Sequence, residues 1–535
     1  MPDKIRVLAV DDAVANLAVI RGCLRGKDID LTTKTNALDA LQAFKENFFD
    51  VLLLDVLMPG ISGFELRKLI REIDKERPII FFTSMIDDSN MTMLKSIAWD
   101  PYTFYLSKVT DKEILLKKIM EITQANRMRK LDQMRSLKLE EELHLASDLQ
   151  KLMLPHWCVL SDEIYAGSLY EPALLTSGDI FEFAKLSDGR ILFFIGDISG
   201  HGISAALYMS TIQTYLKMLP GSLNLTVDKI LSDLNKFVCQ KIKNNVYLTA
   251  AVAIIDFVNN KMILHNAGHL PLTAYVPERG VEQLVCKSEA PPLGWFEDSK
   301  YNPEDNLEYE FTDDTIFVGM TDGVLDLEDN NKQSISAGDL EQLMLDIASG
   351  ADAAILPYQL YDALKQIGYS KANDDVTIVA FQKRIKRSNF IDAVIPQQMR
   401  YVDEIAKKFS GITGDMRFQI KIELCLHEFL NNIIIHGARG IGSDLPIYLS
   451  IERFDATYKI RILDCGEPWN LQLAEQQVKI PEETKNGDER NIPTSGRGLQ
   501  ILQQITKSIS YNSYSGINET IFIINEFDAV DGGIF

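Results

Sequence analysis

Val51-Leu-Leu-Leu-Asp-Val-Leu-Met-Pro-Gly-Ile-Ser-Gly63 decides how the N-terminal part of this 535-residue chain is read. Four consecutive apolar residues, closed by an acid and then by Pro59 and Gly60, read as a short strand buried on both faces and ending at Asp55. Ile5-Arg-Val-Leu-Ala-Val10 and Ile79-Ile-Phe-Phe82 have the same character, with helical stretches between. This is the pattern of a parallel sheet in α/β units, whose ligand chemistry gathers at strand C-termini. Asp11 and Asp12 follow the first strand, Asp55 ends the third, Thr83 ends the fourth and Lys108 closes a short one. Three carboxylates at one sheet edge can hold Mg²⁺, which prefers oxygen ligands. The metal lowers repulsion as Asp55 attacks a phosphoryl group and becomes an acyl phosphate, while Thr83 and Lys108 bond the phosphate oxygens. Asp11-Asp12 alone would be explained by helix capping, which leaves Asp55, Thr83 and Lys108 unaccounted for.

On these residues, and on the run from Asp55 to Gly63 above all, residues 1–124 resemble the response-regulator receiver family. The resemblance implies a flavodoxin-like fold, with Asp55 as phosphoacceptor and Tyr105 at the family's aromatic switch position. Val109 stands where the family usually has a proline.

A chain of this length holds about three domains. Its 46% hydrophobic and 24% charged residues point to globular folding. Fifty-five Lys and Arg against 76 Asp and Glu give a net charge of −21, which repels a polyanion unless one face is locally basic, so nucleic acid is not expected as a partner. The one compact basic cluster, Lys383-Arg-Ile-Lys-Arg387, reads as a solvated linker. No apolar run approaches the ~20 residues that cross a bilayer, and Met1-Pro-Asp-Lys4 lacks a signal-peptide pattern, so no membrane and a cytoplasmic location are expected. Six scattered cysteines never form C-x-x-C and read as buried thiols.

From Glu121 to Met153 glycine and proline are absent, and Leu131, Met134, Leu139, Leu143, Ala146, Leu149 and Met153 recur at three- to five-residue intervals. The spacing predicts a long helix with an imperfect heptad seam, stopped by Pro155, and residues 125–154 are taken as a helical linker. It suits equally a helix lying on a neighbouring domain and a coiled coil that makes the chain a homodimer.

Residues 155–385 carry Asp179 in Ser-Gly-Asp, Asp197 in Gly196-Asp-Ile-Ser-Gly-His-Gly202, Asp322 in Thr-Asp-Gly and Asp374 in Asn-Asp-Asp-Val-Thr. Any one Asp-Gly is a turn signal. Four acids at strand ends, far apart in sequence, suggest a shared cation site in which two Mn²⁺ or Mg²⁺ ions bridge one water for attack on a phosphoester. Residues 140–385 resemble the metal-dependent PPM-type serine/threonine phosphatases, specifically the sporulation and stress-response branch. Glu140-Glu-Glu-Leu-His-Leu-Ala-Ser-Asp-Leu-Gln150, Asn266-Ala-Gly-His-Leu-Pro271 and Pro292-Leu-Gly294 match it as well. The resemblance implies a β-sandwich flanked by helices. Asp197 would bridge both metals with help from the Ile198 carbonyl, Asp179 would serve the second, and Asp322 and Asp374 would complete the first. It disfavours Asp375 as a ligand and makes His201 and His269 structural. Ser177 replaces a usual glycine and Glu182 a common aspartate, two departures that bear on second-metal affinity.

Residues 390–535 read as helix, long helix, strands 447–453 and 458–463, polar loop 470–495, helix and last strand 520–525. Glu428 and Asn432 are four apart and share a helix face, with His436-Gly437 following. Asp464-Cys-Gly466 ends a strand and Gly496-Arg-Gly498 opens a helix. Such amides can hold phosphates, Asn432 can offer an oxygen to Mg²⁺ and Asp464 can accept from an adenine amino group. The order resembles the histidine-kinase-like ATPase superfamily, an α/β sandwich, and within it the anti-sigma serine kinases. The resemblance implies ATP with Mg²⁺ at Asn432, Asp464, Gly466, Gly496, Gly498 and Thr520, with Glu428 as base on a serine. A histidine kinase is disfavoured because His427 lies inside the ATP-site helix.

The fold class expected is thus multidomain α/β and α+β. Together the segments resemble three-domain response regulators of bacterial partner switching. That implies an anti-anti-sigma STAS protein as shared substrate, and a sensor histidine kinase or phosphotransfer protein as phosphodonor. A sigma factor or anti-sigma factor is a further partner. The alternative is a receiver-gated anti-sigma binding protein with one enzyme domain idle.

Overall fold

The computed structural model describes residues 4–25, 28–83, 100–200, 202–222, 224–242, 246–288, 290–436, 445–468 and 497–525, and of Thr83, Ile203, His436 and Arg497 the backbone alone. It divides into two compact units, Met1–Glu142 and Leu143–Phe535.

The first unit runs β1 (Ile5–Val10), α1 (Val14–Leu24), β2 (Ile29–Lys34), α2 (Ala37–Glu46), β3 (Val51–Leu54), α3 (Gly63–Ile73), β4 (Ile79–Thr83) and β5 (Thr103–Ser107), then α4 (Lys112–Met153), which runs on into the second unit. All strand pairs are parallel, in the order β2-β1-β3-β4-β5, the flavodoxin-like arrangement. Every residue of β3 is buried because the sheet is covered on both faces. Leu52 and Leu54 pack with Phe44 and Phe64, while Val51 and Leu53, on the opposite face, pack with Ile20 and Ile119. Register pairs Val10 with Leu54, so Asp11 and Asp55 leave neighbouring strands at one edge. A reciprocal cap between Ser62 and Glu65 starts α3 immediately beyond it.

Helix α4 is 42 residues long and starts at Lys112, well before the Glu121 at which the sequence reading began it. Along its predicted seam Leu131, Met134, Leu139 and Leu149 are exposed, while Leu143, Ala146 and Met153 are half-buried.

The second unit begins with β6 (Cys158–Leu160), β7 (Ile164–Glu171), β8 (Asp179–Lys185), β9 (Ile191–Ile198), α5 (Ile203–Met218), α6 (Val227–Lys241), β10 (Leu248–Asp256), β11 (Lys261–Ala267), β12 (Leu272–Val276), β13 (Gly280–Leu284), β14 (Leu307–Glu310), β15 (Ile316–Met320), α7 (Ala337–Ala348), α8 (Leu356–Gln366) and β16 (Val376–Lys383). Two antiparallel sheets form, β14-β11-β10-β9-β8 and β13-β12-β15-β16-β7-β6. They face each other through Phe193 of one and Phe317 and Phe381 of the other, with ring centroids 4.6 Å apart for Phe193–Phe381 and 5.1 Å for Phe317–Phe381. Helices α5 and α6 cover the first sheet, and α7 and α8 the second.

The unit continues through β17 (Phe390–Pro396), α9 (Val402–Ser410), α10 (Met416–His436), β18 (Pro446–Phe454), β19 (Thr457–Asp464), α11 (Arg497–Ile505), β20 (Ser508–Tyr514) and β21 (Ile517–Asn525). These strands make one antiparallel sheet, β17-β18-β19-β21-β20. Alternation along β18 sets its two faces. Ile447, Leu449 and Ile451 pack under α9 and α10, while Tyr448 joins Trp157, Tyr165 and Tyr358 of the preceding sandwich in a common core. The Tyr165 and Tyr448 rings stack at 5.0 Å, and the Trp157 indole N–H donates to the Pro446 carbonyl at 2.9 Å.

The basic cluster is in part a correction to the sequence reading. Lys383 belongs to β16 and pairs with Asp313 at 2.7 Å, Arg384 pairs with Asp392 at 2.5 Å, and Lys386 pairs with Asp162 at 2.6 Å. Lys383 and Arg384 are thus half-buried and held by their acids, while Lys386 and Arg387 are exposed in the connection between β16 and β17, as a solvated linker would have them. Strands β17 and β20 are further additions, β17 occupying the place where the sequence suggested a helix.

Candidate active sites

At the parallel-sheet edge, Asp11, Asp12 and Asp55 each bring an oxygen within 4.8 Å of the others. Asp11 and Asp55 are buried and Asp12 is exposed, so the cluster opens to solvent on one side. The Lys108 ammonium lies 2.6 Å from Asp11 Oδ2 and 2.8 Å from Asp55 Oδ2. Burial works against its charge, but the two carboxylates outweigh that and raise its pKa. Asp55 Oδ1 accepts from the Val56 N–H at 2.8 Å. Gly63 is obligatory here, since a Cβ would sit 2.0 Å from the Asp55 carbonyl oxygen. Thr83 ends β4 opposite Ser107, which puts its backbone at the same edge, while its side chain lies outside the described residues. The Tyr105 hydroxyl is buried and has no hydrogen-bond partner among the described residues. Three oxygen donors with one opening suit a hard divalent cation. Exposed Val109, standing where a proline was expected, leaves Lys108 in position.

In the sandwich, Asp179 opens β8 and Asp197 stands directly opposite it near the end of β9. Asp322 follows β15 and Asp374-Asp375 precede β16. Two glycines let these turns meet. A Cβ on Gly178 would lie 2.7 Å from the Ile198 carbonyl oxygen and 3.0 Å from Asp197 Oδ1, and one on Gly323 would lie 1.9 Å from the Asp375 carbonyl oxygen. The four sequence-predicted acids therefore come together at one end of the sandwich, with the Ile198 carbonyl beside them.

Their electrostatics are those of uncompensated charge. Burial, and then repulsion from Asp322, Asp374 and Asp375, pushes Asp197 up to about 7. Burial and Asp197 push Asp179 well up, against the Thr377 and Thr321 hydroxyls that donate to its Oδ2 at 2.5 and 2.8 Å. Burial and the neighbouring Asp374 and Asp326 also raise Asp322. Acids that repel one another in this way suit divalent cations. Asp375 differs, because its two oxygens accept from the Ala173 and Gly178 N–H groups at 2.8 and 2.9 Å.

His269 Nδ1 shares a hydrogen bond with Thr249 Oγ1 at 2.9 Å, and burial lowers its pKa to about 4, so it is a neutral structural group. His201 lies outside the described residues. Glu182 is engaged elsewhere: its Oε2 accepts from Gln213 Nε2 at 2.5 Å. The sequence reading missed Thr321 and Thr377, although both lie inside the quoted Thr-Asp-Gly and Asp-Val-Thr motifs.

In the last sheet, Glu428 and Asn432 on α10 face the start of α11. A Cβ on Gly498 would lie 2.8 Å from Glu428 Oε2 and 3.4 Å from Asn432 Nδ2. Asp464 is buried, and its Oδ1 accepts from the Gly466 N–H at 2.7 Å and from Asn518 Nδ2 at 3.1 Å. Thr520, two residues along β21 from Asn518, lies on the same sheet face and is fully buried, and its Oγ1 has no hydrogen-bond partner among the described residues. A glycine cradle, a buried carboxylate and an orphaned hydroxyl on one sheet face fit a nucleotide. Gly496 lies outside the described residues. Asn518 was not foreseen, for it carries no motif of its own. His427 sits within α10, the helix that carries Glu428 and Asn432, a placement that counts against a phosphoacceptor role; its Nδ1 lies 3.5 Å from Asp403.

The chain matches three family descriptions: response regulator receiver domain over residues 7–120, stage II sporulation protein E over 187–384, and histidine kinase-like ATPase domain over 394–524. Among curated relatives it is 29% identical to phosphoserine phosphatase RsbP of Bacillus subtilis over 36% of this chain and 46% of the relative. It is 24% identical to phosphoserine phosphatase RsbU of the same organism over 46% of this chain and 71% of the relative. The match to RsbP thus spans less than half of that protein. Among solved structures, the RsbU and RsbW domains of a Mycobacterium tuberculosis protein align at 20% identity and TM-score 0.38, over 69% of this chain and 95% of that one. The SiaA-PP2C domain of Pseudomonas aeruginosa aligns at 19% and 0.38, over 46% and 98%. By these family matches the chain carries, in order, a receiver domain, a SpoIIE-type phosphatase domain and a histidine kinase-like ATPase domain.

Proposed function

We propose that this chain is a response regulator of partner switching, in which phosphorylation of Asp55 biases two opposed activities, a protein-serine phosphatase and a serine kinase, acting on one STAS-type protein. The carrying observation is the convergence of Asp179, Asp197, Asp322 and Asp374 at one end of the sandwich, in a chain that also holds an aspartate–lysine receiver site and a glycine-cradled ATPase site. The names of RsbP and RsbU, both phosphoserine phosphatases, support the phosphatase part.

In the receiver, Asp55 is the nucleophile toward a phosphodonor, either a sensor histidine kinase or a phosphotransfer protein. Asp11 and Asp12 would hold Mg²⁺ with it, and Lys108 and Thr83 would bond the oxygens of the new phosphate. In the phosphatase, Asp197, assisted by the Ile198 carbonyl, would be the shared ligand of two Mn²⁺ or Mg²⁺ ions, with Asp179 completing the second position and Asp322 and Asp374 the first. Bound there, the two ions supply an activated water for attack at phosphorus. Thr321 and Thr377 hold Asp179 in place through their hydroxyls. In the ATPase domain, Asn432 holds Mg²⁺ of ATP, Asp464 accepts from adenine, Thr520 and the glycines line the cradle, and Glu428 orients or deprotonates the target serine. A sigma factor or anti-sigma factor is the downstream partner, the exposed seam of α4 joins two copies, and the setting is the cytoplasm. Among the described residues no helix is long and apolar enough to cross a membrane.

The test is to incubate the purified chain with ATP labelled at the γ-phosphate and the cognate STAS protein. Serine labelling that Asn432→Ala or Glu428→Ala abolishes, and label release with Mn²⁺ that Asp197→Ala abolishes, are expected. Labelling unchanged in both ATPase-site variants would leave that domain a binder, the receiver-gated anti-sigma reading. Release unchanged in Asp197→Ala would remove the phosphatase reading.

A further inference from the structure

Two motifs noted in the sequence, Asn266-Ala-Gly-His-Leu-Pro271 and Pro292-Leu-Gly294, supply no ligand or reacting group to the chemistry above. They pack against each other beside the acid site. Gly268 has φ +70°, and a Cβ there would lie 2.7 Å from the Pro292 ring. Leu293 and Leu248 exchange both of their backbone hydrogen bonds, at 2.9 and 2.8 Å, and Leu248 pairs in turn with Ile198, the neighbour of Asp197. Gly294 turns the chain at φ +91°, where a Cβ would lie 2.5 Å from Val238 Cγ1 and 3.1 Å from the Val246 carbonyl oxygen.

What this scaffold presents is a pair of aromatic rings. Trp295 and Phe296 follow Gly294 and are 53% and 61% exposed. Their backbone is nevertheless fixed. Asn235 of α6, which is 1% exposed, donates from Nδ2 to the Phe296 carbonyl at 3.0 Å and accepts at Oδ1 from the Gly294 N–H at 2.8 Å. One buried amide thus brackets Trp295 on both sides while its ring stays in water. That ring meets Tyr247 edge-on at 5.4 Å between centroids, and Phe296 at 6.3 Å. Large apolar rings held in solvent on a backbone anchored by buried hydrogen bonds have the character of a recognition surface.

The rings adjoin the acids. The Tyr247 carbonyl accepts from the Ser199 N–H at 2.9 Å, and the Tyr247 N–H donates to Ser199 Oγ at 2.9 Å. Ser199 is two residues past Asp197, and Tyr247 two residues before Thr249, the residue paired with Asp197. At strand spacing Tyr247 therefore lies about 7 Å along from Asp197. An extended peptide with its phosphoserine at the acids brings residues up to about four positions away onto the rings.

We propose that Tyr247, Trp295 and Phe296 dock an apolar side chain of the phosphoprotein substrate, within about four residues of the phosphoserine, and so determine which phosphoserines the phosphatase accepts. This rests on the acid-site reading above and adds the feature by which a substrate is chosen. Glu297 and Asp298, both exposed directly after Phe296, disfavour an acidic residue at the same place.

The experiment uses the full chain with Mn²⁺ and phosphoserine peptides as probes. The reference peptide carries four glycines on each side of the phosphoserine, and eight others carry one leucine, each at a different flanking position. In the parent, leucine at the docking position should raise kcat/KM about 10-fold over the reference, chiefly through KM. Trp295→Ser and Phe296→Ser should each bring that ratio toward 1, and Trp295→Phe should keep most of it. The ratio is taken within each protein, so a loss of folded enzyme cancels. A parent indifferent to leucine at every position, or a ratio that both serine variants leave unchanged, overturns the docking role while leaving the acid site standing. An unchanged ratio together with a lower oligomeric mass in Trp295→Ser also overturns it, and assigns the rings to a contact between copies of the chain. Phosphate release that is absent from every peptide in the parent, or that survives Asp197→Ala, instead overturns the acid-site reading itself.

Discussion

Asp179 and Asp197 are direct cross-strand neighbours on β8 and β9. Like charges placed opposite each other destabilise an antiparallel pair, and here Asp322 and Asp374 add to the repulsion. The arrangement holds together best with cations among the carboxylates. With a chelator present at pH 8, Asp197→Asn should therefore melt above the parent, by about 2–4 °C for each ~1 kcal/mol of repulsion relieved. Adding Mn²⁺ should raise the melting temperature of the parent and not that of the variant. A variant that melts lower in chelator, or that gains as much from Mn²⁺, would show that this pair is not a cation site.

Lys108 neutralises Asp11 and Asp55 in a nearly closed setting. Removing one partner of such a cluster leaves unpaired buried charge, which costs about 3–5 kcal/mol. Lys108→Met should thus lower receiver stability in the absence of Mg²⁺ and enlarge the stabilisation that Mg²⁺ gives. Asp55→Ala should abolish labelling by acetyl phosphate. Label retained at full stoichiometry in Asp55→Ala would assign the acceptor elsewhere.

How far the sequence speaks depends on where a residue's constraint comes from. The parallel strands were legible because burial on both faces leaves unbroken apolar runs such as Val51–Leu54. The acid site was legible because its aspartates sit beside glycines in turn motifs, and Gly178 and Gly323 are there to let backbone approach backbone. Strands β17 and β20 were not legible. Both lie at sheet edges, and Ser508-Ile-Ser-Tyr-Asn-Ser-Tyr514 shows only partial burial, without a clear apolar face. The basic cluster misled for a related reason, since nothing local to Lys383–Arg387 reveals that Asp313, Asp392 and Asp162 wait in the fold. The shared core of Trp157, Tyr165, Tyr358 and Tyr448 was invisible because its members come from segments far apart along the chain.

Glu182 gives the protein a pH dependence separable from the metal ligands. Burial, opposed by Lys217 and by the Phe183 N–H, pushes its pKa up to about 7 from an ordinary 4.5. A carboxyl group raised in the folded state contributes stability fully below its unfolded pKa, and that contribution is lost as pH rises through the folded value. Glu182→Gln should accordingly match the parent near pH 4.5 and become progressively more stable than it up to about pH 8, measured by melting in chelator. A difference that stays constant across this range would mean that Glu182 is ionised throughout.

Arg461 joins the phosphatase and ATPase segments. Its guanidinium pairs with Asp352 on one side and lies 2.6 Å from Glu519 on the other, in a largely buried setting. Replacing it leaves two carboxylates without their common cation, at a cost of about 3–5 kcal/mol. Arg461→Met should weaken the contact between the two segments, splitting one calorimetric unfolding transition into two. A single transition at the parent temperature would show that Trp157, Tyr165 and Tyr448 hold the interface without it.

Receiver control is the remaining link, and α4 is its physical candidate because one unbroken helix from Lys112 to Met153 carries Gln150, which bonds Ser177 beside the acid site. Turning an activity from mostly off to mostly on requires up to about 5.5 kcal/mol of differential stabilisation. The exposed seam at Leu131, Met134, Leu139 and Leu149 offers apolar area on which a second helix could supply part of it. Phosphorylation of Asp55 is expected to favour the phosphatase, so a beryllofluoride mimic of the acyl phosphate should raise the phosphatase rate and change the oligomeric mass. Prolines at Leu139 and Leu143 each remove a helix hydrogen bond and clash with the preceding turn, at about 3 kcal/mol apiece. That variant should retain acetyl phosphate labelling at Asp55 and Mn²⁺-dependent turnover while losing the response to beryllofluoride. Equal rates with and without beryllofluoride in the parent would eliminate receiver control of the phosphatase. A proline variant that still responds would eliminate α4 as its route.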